Sequence, residues 1–198
     1  MEPKVESRNT HLGEIARLAA AGDTSATARL LRMVAPEMLR VVRGVMGPYS
    51  TEVDDAVQQA LVALIQALPA FRGECAPTGY ACRIAFRTAL GMRKKAHQAH
   101  TRHDLTVETD LLPVDDSPSG LRESRRRTEL VRNLLEHIPS EQAEALAMRT
   151  MLGWSLEEIS RASGAPVNTV RSRLRLAKEA LRRNIESDPA LAEELGVG

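Results

Sequence analysis

Between Ala26 and Met46 apolar residues return every three or four positions, as Leu31, Val34, Met38, Val42 and Val45. That is the period of a helix packed along one side. No stretch of the 198-residue chain shows the alternation of Val, Thr and aromatic residues that marks a half-buried strand, and aromatics make up only 3% of it. The chain therefore reads as all-α. Its length permits one large or two small domains, and two is the expectation. With a formal net charge of only +1, a polyanionic partner has to be met by a local patch rather than by the whole surface.

The other helical segments follow from stop and start signals. Ile15, Leu18 and Ala19 repeat at helical spacing, Gly22-Asp23 breaks the pattern, and Asp23 or Thr24 is placed to cap the next helix. Thr51 with Asp54 has the spacing of a capping box for a third helix, Val53 to Leu68. Pro69 and the loop FRGECAPTG precede a fourth helix from about Tyr80 to Ala96. Further on, a helix that begins at Arg125 to Arg127 reaches His137, Ser140 caps a helix over Glu141 to Met151, and Ser155 with Glu158 caps a short one.

Charge comes in blocks. From Cys75 to His103 there is no acid, while Arg83, Arg87, Arg93, Lys94, Lys95 and Arg102 supply cations. The sign then reverses: Asp104, Glu108, Asp110, Asp115 and Asp116 share a stretch with no base, ending in the Pro- and Ser-containing LLPVDDSPSG. That is the composition of an exposed linker. The expected division is a polar leader at 1–11, a helical domain at 12–100, a flexible acidic linker at 101–122, a second helical domain at 123–184 and an acidic tail at 185–198. The tail, ESDPALAEELGVG, is a short helix at most.

The segment GAPVNTVRSRLRLAKEALRR, Gly164 to Arg183, is the most informative. At 100° per residue, Val167, Val170, Leu174, Ala177 and Leu181 form one apolar face. Asn168, Thr169, Ser172, Arg175, Glu179 and Arg183 lie opposite, flanked by Arg171, Lys178 and Arg182 on one side and Arg173 on the other. A short capped helix, a turn containing Gly164 and a longer polar-faced helix make a helix-turn-helix, whose second helix enters the major groove. Asn168, Thr169, Ser172 and Arg175 are then placed for base edges, and Arg171, Arg173 and Lys178 for phosphates. A solvated basic face on an ordinary helix satisfies the same pattern.

The segment from His137 to Arg183 resembles region four of the extracytoplasmic-function sigma factors of bacteria, in Ile138-Pro139, Glu158-Ile159 and the run Thr169 to Leu174. Upstream, AAAGDTSATARLLRMVAPEMLRVV and TEVDDAVQQALVALIQALPAF resemble the opening parts of sigma region two, and FRGECAPTGYACRIAFR resembles its promoter-reading loop and helix. The resemblance spans about Ile15 to Arg183. It implies that 12–100 is region two, that 123–184 is region four, and that the protein binds core RNA polymerase and directs promoter recognition.

Carried over by position, Asp54, Asp55 and Gln58 would contact the clamp of the polymerase β′ subunit, while Leu61, Leu64 and Ile65 fill the core. Arg72, Tyr80, Arg83, Arg87, Arg93, Lys94 and Lys95 would serve the minus-ten element. Phe71 and Phe86 are expected in the core. The helix at 167–183 would read the minus-thirty-five element, the linker would thread the polymerase cleft, and an anti-sigma protein would be the regulator. Departures from the family pattern are Tyr80 for the usual Trp, Phe86-Arg87 for a common Arg-Asn, Asn168 for a usual Gly and Leu176 for a frequent base.

Other classes fit less well. The sequence has no glycine-rich phosphate loop, nucleophile elbow or zinc-hydrolase motif, so an enzyme is not expected and no cofactor is implied. A helix-turn-helix regulator with a ligand- or protein-binding first domain is the alternative. His97, His100 and His103 stand three apart, but read as a polar helix end rather than as a metal site, and Cys75 and Cys82 as free thiols. The N-terminal residues lack the apolar core of a signal peptide and no run reaches the roughly 20 residues of a membrane span, so a cytoplasmic location is expected, without membrane insertion.

Overall fold

The computed structural model describes residues 3–47, 50–103, 129–130 and 132–188, with side chains described for 11–47 and 50–98 in the first part. Among these the regular structure is helical throughout: α1 Pro3–Ala20, α2 Thr24–Met46, α3 Val53–Ala67, a 3₁₀ turn Leu68–Ala70, and α4 Pro77–His103. Helical residues at 129–130 and 132–135 lead into α5 Ser140–Thr150, α6 Leu156–Ser163 and α7 Val167–Glu186. Most of the expected linker, the start of the helix expected at 125–127 and the tail beyond 188 lie outside the described residues.

α2 is the spine of the first domain. Leu30, Val34, Met38, Val42 and Val45 on it are buried, and α1, α3 and α4 pack around it. Small residues permit the close approach: Ala16 on α1, Ala56 and Ala60 on α3, and Ala81, Ala85 and Ala89 on α4 are all buried. Phe71 and Phe86 both enter this core, as expected. Asp23 caps α2 through Oδ1, which accepts from the Ala26 N–H at 2.9 Å, satisfying one of the orphan donors of the first turn.

In the second domain α5 and α7 pack on each other, with α6 against both. The capping box opens α6: Ser155 Oγ accepts from the Glu158 N–H at 3.1 Å, and Glu158 Oε2 accepts from the Ser155 N–H at 2.7 Å. Gly164, with φ at +68°, closes it, a left-handed cap that glycine takes without steric cost. Three residues later α7 begins, with Val170, Leu174 and Ala177 buried against the domain.

Several expectations are corrected. Leu18 and Ile65, assigned to apolar stripes, are 54% and 45% exposed. On α3 the buried row is Val53, Ala56, Ala60 and Leu64, and one further step of 100° carries Ile65 to the outside. Leu61 is half-buried against the core. The capping box at Thr51 does not form: α3 starts after Glu52 with no side-chain cap. α5 starts one residue early, with Pro139 in the cap position rather than Ser140. α1 begins at Pro3, inside the expected leader, and α4 runs from Pro77 to His103, longer at both ends than expected.

These positions separate by energy. Phe86→Ala should cost about 3–5 kcal/mol of stability and Ile65→Ala less than about 0.5 kcal/mol, compared by urea unfolding.

Candidate nucleic-acid interface and the contact between domains

The recognition face on α7 is built as the spacing required. Asn168, Thr169, Arg171, Ser172, Arg175 and Lys178 are exposed, and the apolar face lies against the domain. Arg171 donates to Asn168 Oδ1 at 2.8 Å, and Arg175 pairs with Glu179 one turn on at 2.6 Å. Both contacts are surface pairs, worth little and easily exchanged for another acceptor. Arg173 differs: it is half-buried and committed to Glu141 at the start of α5.

The turn before α7 is held by short local bonds. Ser160 Oγ donates to the Ala165 carbonyl at 2.6 Å, and Ser163 Oγ accepts from the Ala165 N–H at 3.3 Å. They fix the angle between α6 and α7, the geometry on which groove entry depends.

On α3, Asp54, Asp55 and Gln58 are exposed. Val62 and Ile65 are exposed too, at 53% and 45%, and helical spacing puts them with Asp55 and Gln58 within one sector of about 80°. Residue periodicity pointed to the polar part of this surface and missed its apolar part.

The residues expected at the minus-ten element divide into two groups. Arg72 and Lys95 are exposed and Lys94 is half-exposed. Tyr80 is turned inward, its hydroxyl donating to the Ala67 carbonyl at 3.0 Å and its ring 5.1 Å from that of Phe71. Burial pushes its phenol above the usual range, helped by the nearby Cys75 and opposed by Arg83.

The arginines of α4 face the second domain. Arg83 Nε lies 2.5 Å from Glu144 Oε1 and Arg87 3.3 Å from Glu144 Oε2, while Arg83 also donates to the Ser163 carbonyl at 3.1 Å. Glu144 is 4% exposed, in the middle of the buried face of α5. Arg93, its side chain 12% exposed, reaches Glu129 at 2.5 Å, Glu136 at 2.7 Å and Asn133. The Nε hydrogens of Arg83 and Arg93 do not align on their carboxylates, so those two contacts are Coulombic more than hydrogen-bonded. Burial pushes the Glu129 carboxyl up, but hydrogen bonds and charge from Arg93 and Arg132 outweigh this and hold it below its ordinary value.

Backbone contacts close the same seam. The Ala76 N–H donates to the Arg161 carbonyl at 3.1 Å, Arg40 to the Leu152 carbonyl at 2.8 Å, and Arg132 to the Gly44 carbonyl at 2.8 Å. Gly79 is pressed against α6: a Cβ there would sit 2.3 Å from Ala162 Cβ. Val41, Cys82, Phe86, Ala147, Met148 and Leu152 fill the centre, leaving a cavity of about 10 Å³. Sequence reading did not find this seam. Its one signal was Glu144, a carboxylate inside the small apolar run Ala143 to Met148.

Both cysteines are free thiols, as expected. Among the described residues no group of three His, Cys, Asp or Glu side chains could hold a metal ion; the His100 and His103 side chains are outside the description. No described helix is long and apolar enough to cross a membrane.

Comparison with known proteins gives this geometry a family. Residues 30–98 match the family model for Sigma-70 region 2, and residues 128–181 that for Sigma-70, region 4. The class is thus that of the sigma-70-type factors, both regions present in order. The ECF RNA polymerase sigma-E factor of Escherichia coli K12 is 30% identical over 148 residues, 69% of this chain and 75% of that protein. The ECF RNA polymerase sigma factor SigD of Mycobacterium tuberculosis H37Rv is 27% identical over 194 residues, 93% of this chain and 89% of that one. In fold the chain is similar to CnrH, solved in complex with the cytosolic domain of CnrY, at a TM-score of 0.51 and 20% identity over 89% of this chain and 97% of that one. The chain belongs to the ECF family of RNA polymerase sigma factors. Its function is accordingly promoter recognition for RNA polymerase.

The two thiols offer a check on the seam. Burial pushes the Cys82 thiol up to about 12, and that of half-buried Cys75 up by less. Since the thiolate is the reactive form, native protein treated with Ellman's reagent at pH 8 should lose Cys75 first, and Cys82 should react only on unfolding. Equal rates for the two would contradict the packing described.

Proposed function

We propose a division of labour among the surfaces within the sigma-factor function. Residues 12–100 serve as region two and 123–184 as region four, joined by the linker at 101–122. On α7, Asn168, Thr169, Ser172 and Arg175 read base edges of the minus-thirty-five element, while Arg171, Arg173 and Lys178 hold phosphates. The observation that carries this is the exposed polar row on α7, set directly after a capped helix and a three-residue turn. Asp54, Asp55 and Gln58 on α3 dock on the β′ clamp, and the uncovered Val62 and Ile65 beside them support that reading, because apolar surface left in water on a helix face favours a partner.

Arg72, Tyr80, Arg83, Arg87, Arg93, Lys94 and Lys95 serve the minus-ten element, with Tyr80 contributing mainly by shaping the loop at Phe71. The protein acts in the cytoplasm, as a transcription factor rather than an enzyme. Its regulator is an anti-sigma protein, the partner that family membership implies.

Run-off transcription with core polymerase on several promoters tests the assignment. Ser172→Ala or Arg175→Ala should reduce initiation by about 1 to 3 kcal/mol in barrier at promoters that offer the matching base pair and leave others nearly unchanged. Asp55→Ala should reduce initiation at all of them alike. A uniform loss from the α7 variants contradicts the base-reading role.

A further inference from the structure

Three of the guanidinium groups assigned to promoter DNA are already occupied. Arg83 and Arg87 share Glu144, and Arg93 is held by Glu129, Glu136 and Asn133. A carboxylate offers an arginine fork the same paired oxygens as a phosphate, so both cannot be bound at once. Distance makes the same point. Elements centred near minus ten and minus thirty-five are about 25 base pairs apart, roughly 85 Å of duplex at 3.4 Å per pair. In the structure α4 touches α6, and α7 starts three residues after α6 ends.

We propose that this closed arrangement is the resting state of the protein, in which the carboxylates of Glu144, Glu129 and Glu136 occupy the DNA-binding arginines of α4, and that initiation requires the two domains to part. The proposal rests on the assignment of these arginines to DNA. Between His103 and Glu129 the chain has about 25 residues, which when extended reach roughly 85 Å, so the tether is long enough for both promoter elements to be occupied. Because only the open form is competent, the apparent affinity for DNA falls by the open fraction.

Gly79 explains how close the approach is. It lies inside α4, where glycine is a poor helix former, and any side chain there meets the Ala162 Cβ at 2.3 Å, its Cα at 2.5 Å and its carbonyl oxygen at 2.9 Å. Ala162 is itself buried, so it cannot give way. Gly79→Ala should therefore open the seam while favouring the helix that carries it, and it alters no charged group.

The opposite variant locks the seam. A Cβ on Gly44 lies 3.6 Å from Met151 Cβ, inside the range for a disulfide. In full-length protein carrying Cys75→Ser and Cys82→Ala, the pair Gly44→Cys and Met151→Cys should cross-link under mild oxidation. With core polymerase, on genomic DNA from which the reduced form initiates, the oxidised form should be roughly tenfold or more less active, and dithiothreitol should restore it. Gly79→Ala, free of polymerase, should bind a fluorescein-labelled single-stranded oligonucleotide of mixed sequence several-fold more tightly than wild type.

Failure to cross-link, full activity of the locked form, or unchanged binding by Gly79→Ala overturns the proposal. If the reduced form and the wild type both fail to initiate on any DNA, the surface assignments fail instead, and cross-linking and the oligonucleotide still decide whether the seam closes.

Discussion

The Glu144 carboxylate is the interaction on which the arrangement of the two domains depends. An unpaired charge at 4% exposure would be too costly to keep, so a carboxylate in that position has to be met by cations. Arg83 and Arg87, one turn apart on α4, meet both of its oxygens. Those arginines belong to the first domain and Glu144 to the second. Burying the one charge thus fixes how α5 lies across α4, and Cys82, Phe86 and Met148 close around the pair.

Pairs of this kind give little net stability, because the cost of desolvation offsets most of the attraction. What they supply is orientation and a contact that another anion can replace. Apolar packing inside each domain holds the helices together, whereas the seam between domains mixes ion pairs, backbone hydrogen bonds and one glycine contact. A fold of this design keeps its domains intact when the seam opens. Its arginines can then serve two anions in turn, carboxylate at rest and phosphate on the promoter.

What the sequence made legible was what a single helix determines. The stripe on α2, the two faces of α7, the Asp23 cap and the Ser155–Glu158 box all follow from spacing within about a turn or two. The errors came where spacing is ambiguous by one step: Ile65 sits one residue beyond Leu64, and Leu18 has the period of a core residue but faces water. The seam was illegible for a different reason. Arg83 and Glu144 are 61 positions apart, as are the pair's neighbours to a similar degree, and neither helix pattern states which other domain it will meet. Glu144 stood out as an acid in an alanine-rich run, yet nothing local named its partner.

Of the candidate site, the α7 face was legible in full and the α3 face in its polar half. The basic character of α4 was legible also, but its occupancy by acids was not, since charge blocks report composition and not pairing. The direct measurement of the central claim is the separation of the two domains, by a pair of dyes on exposed positions of α3 and α7, in the isolated protein and in a promoter complex with polymerase. The account predicts a short distance in the isolated protein and an increase of tens of ångströms in the complex. The same separation in both states would contradict it.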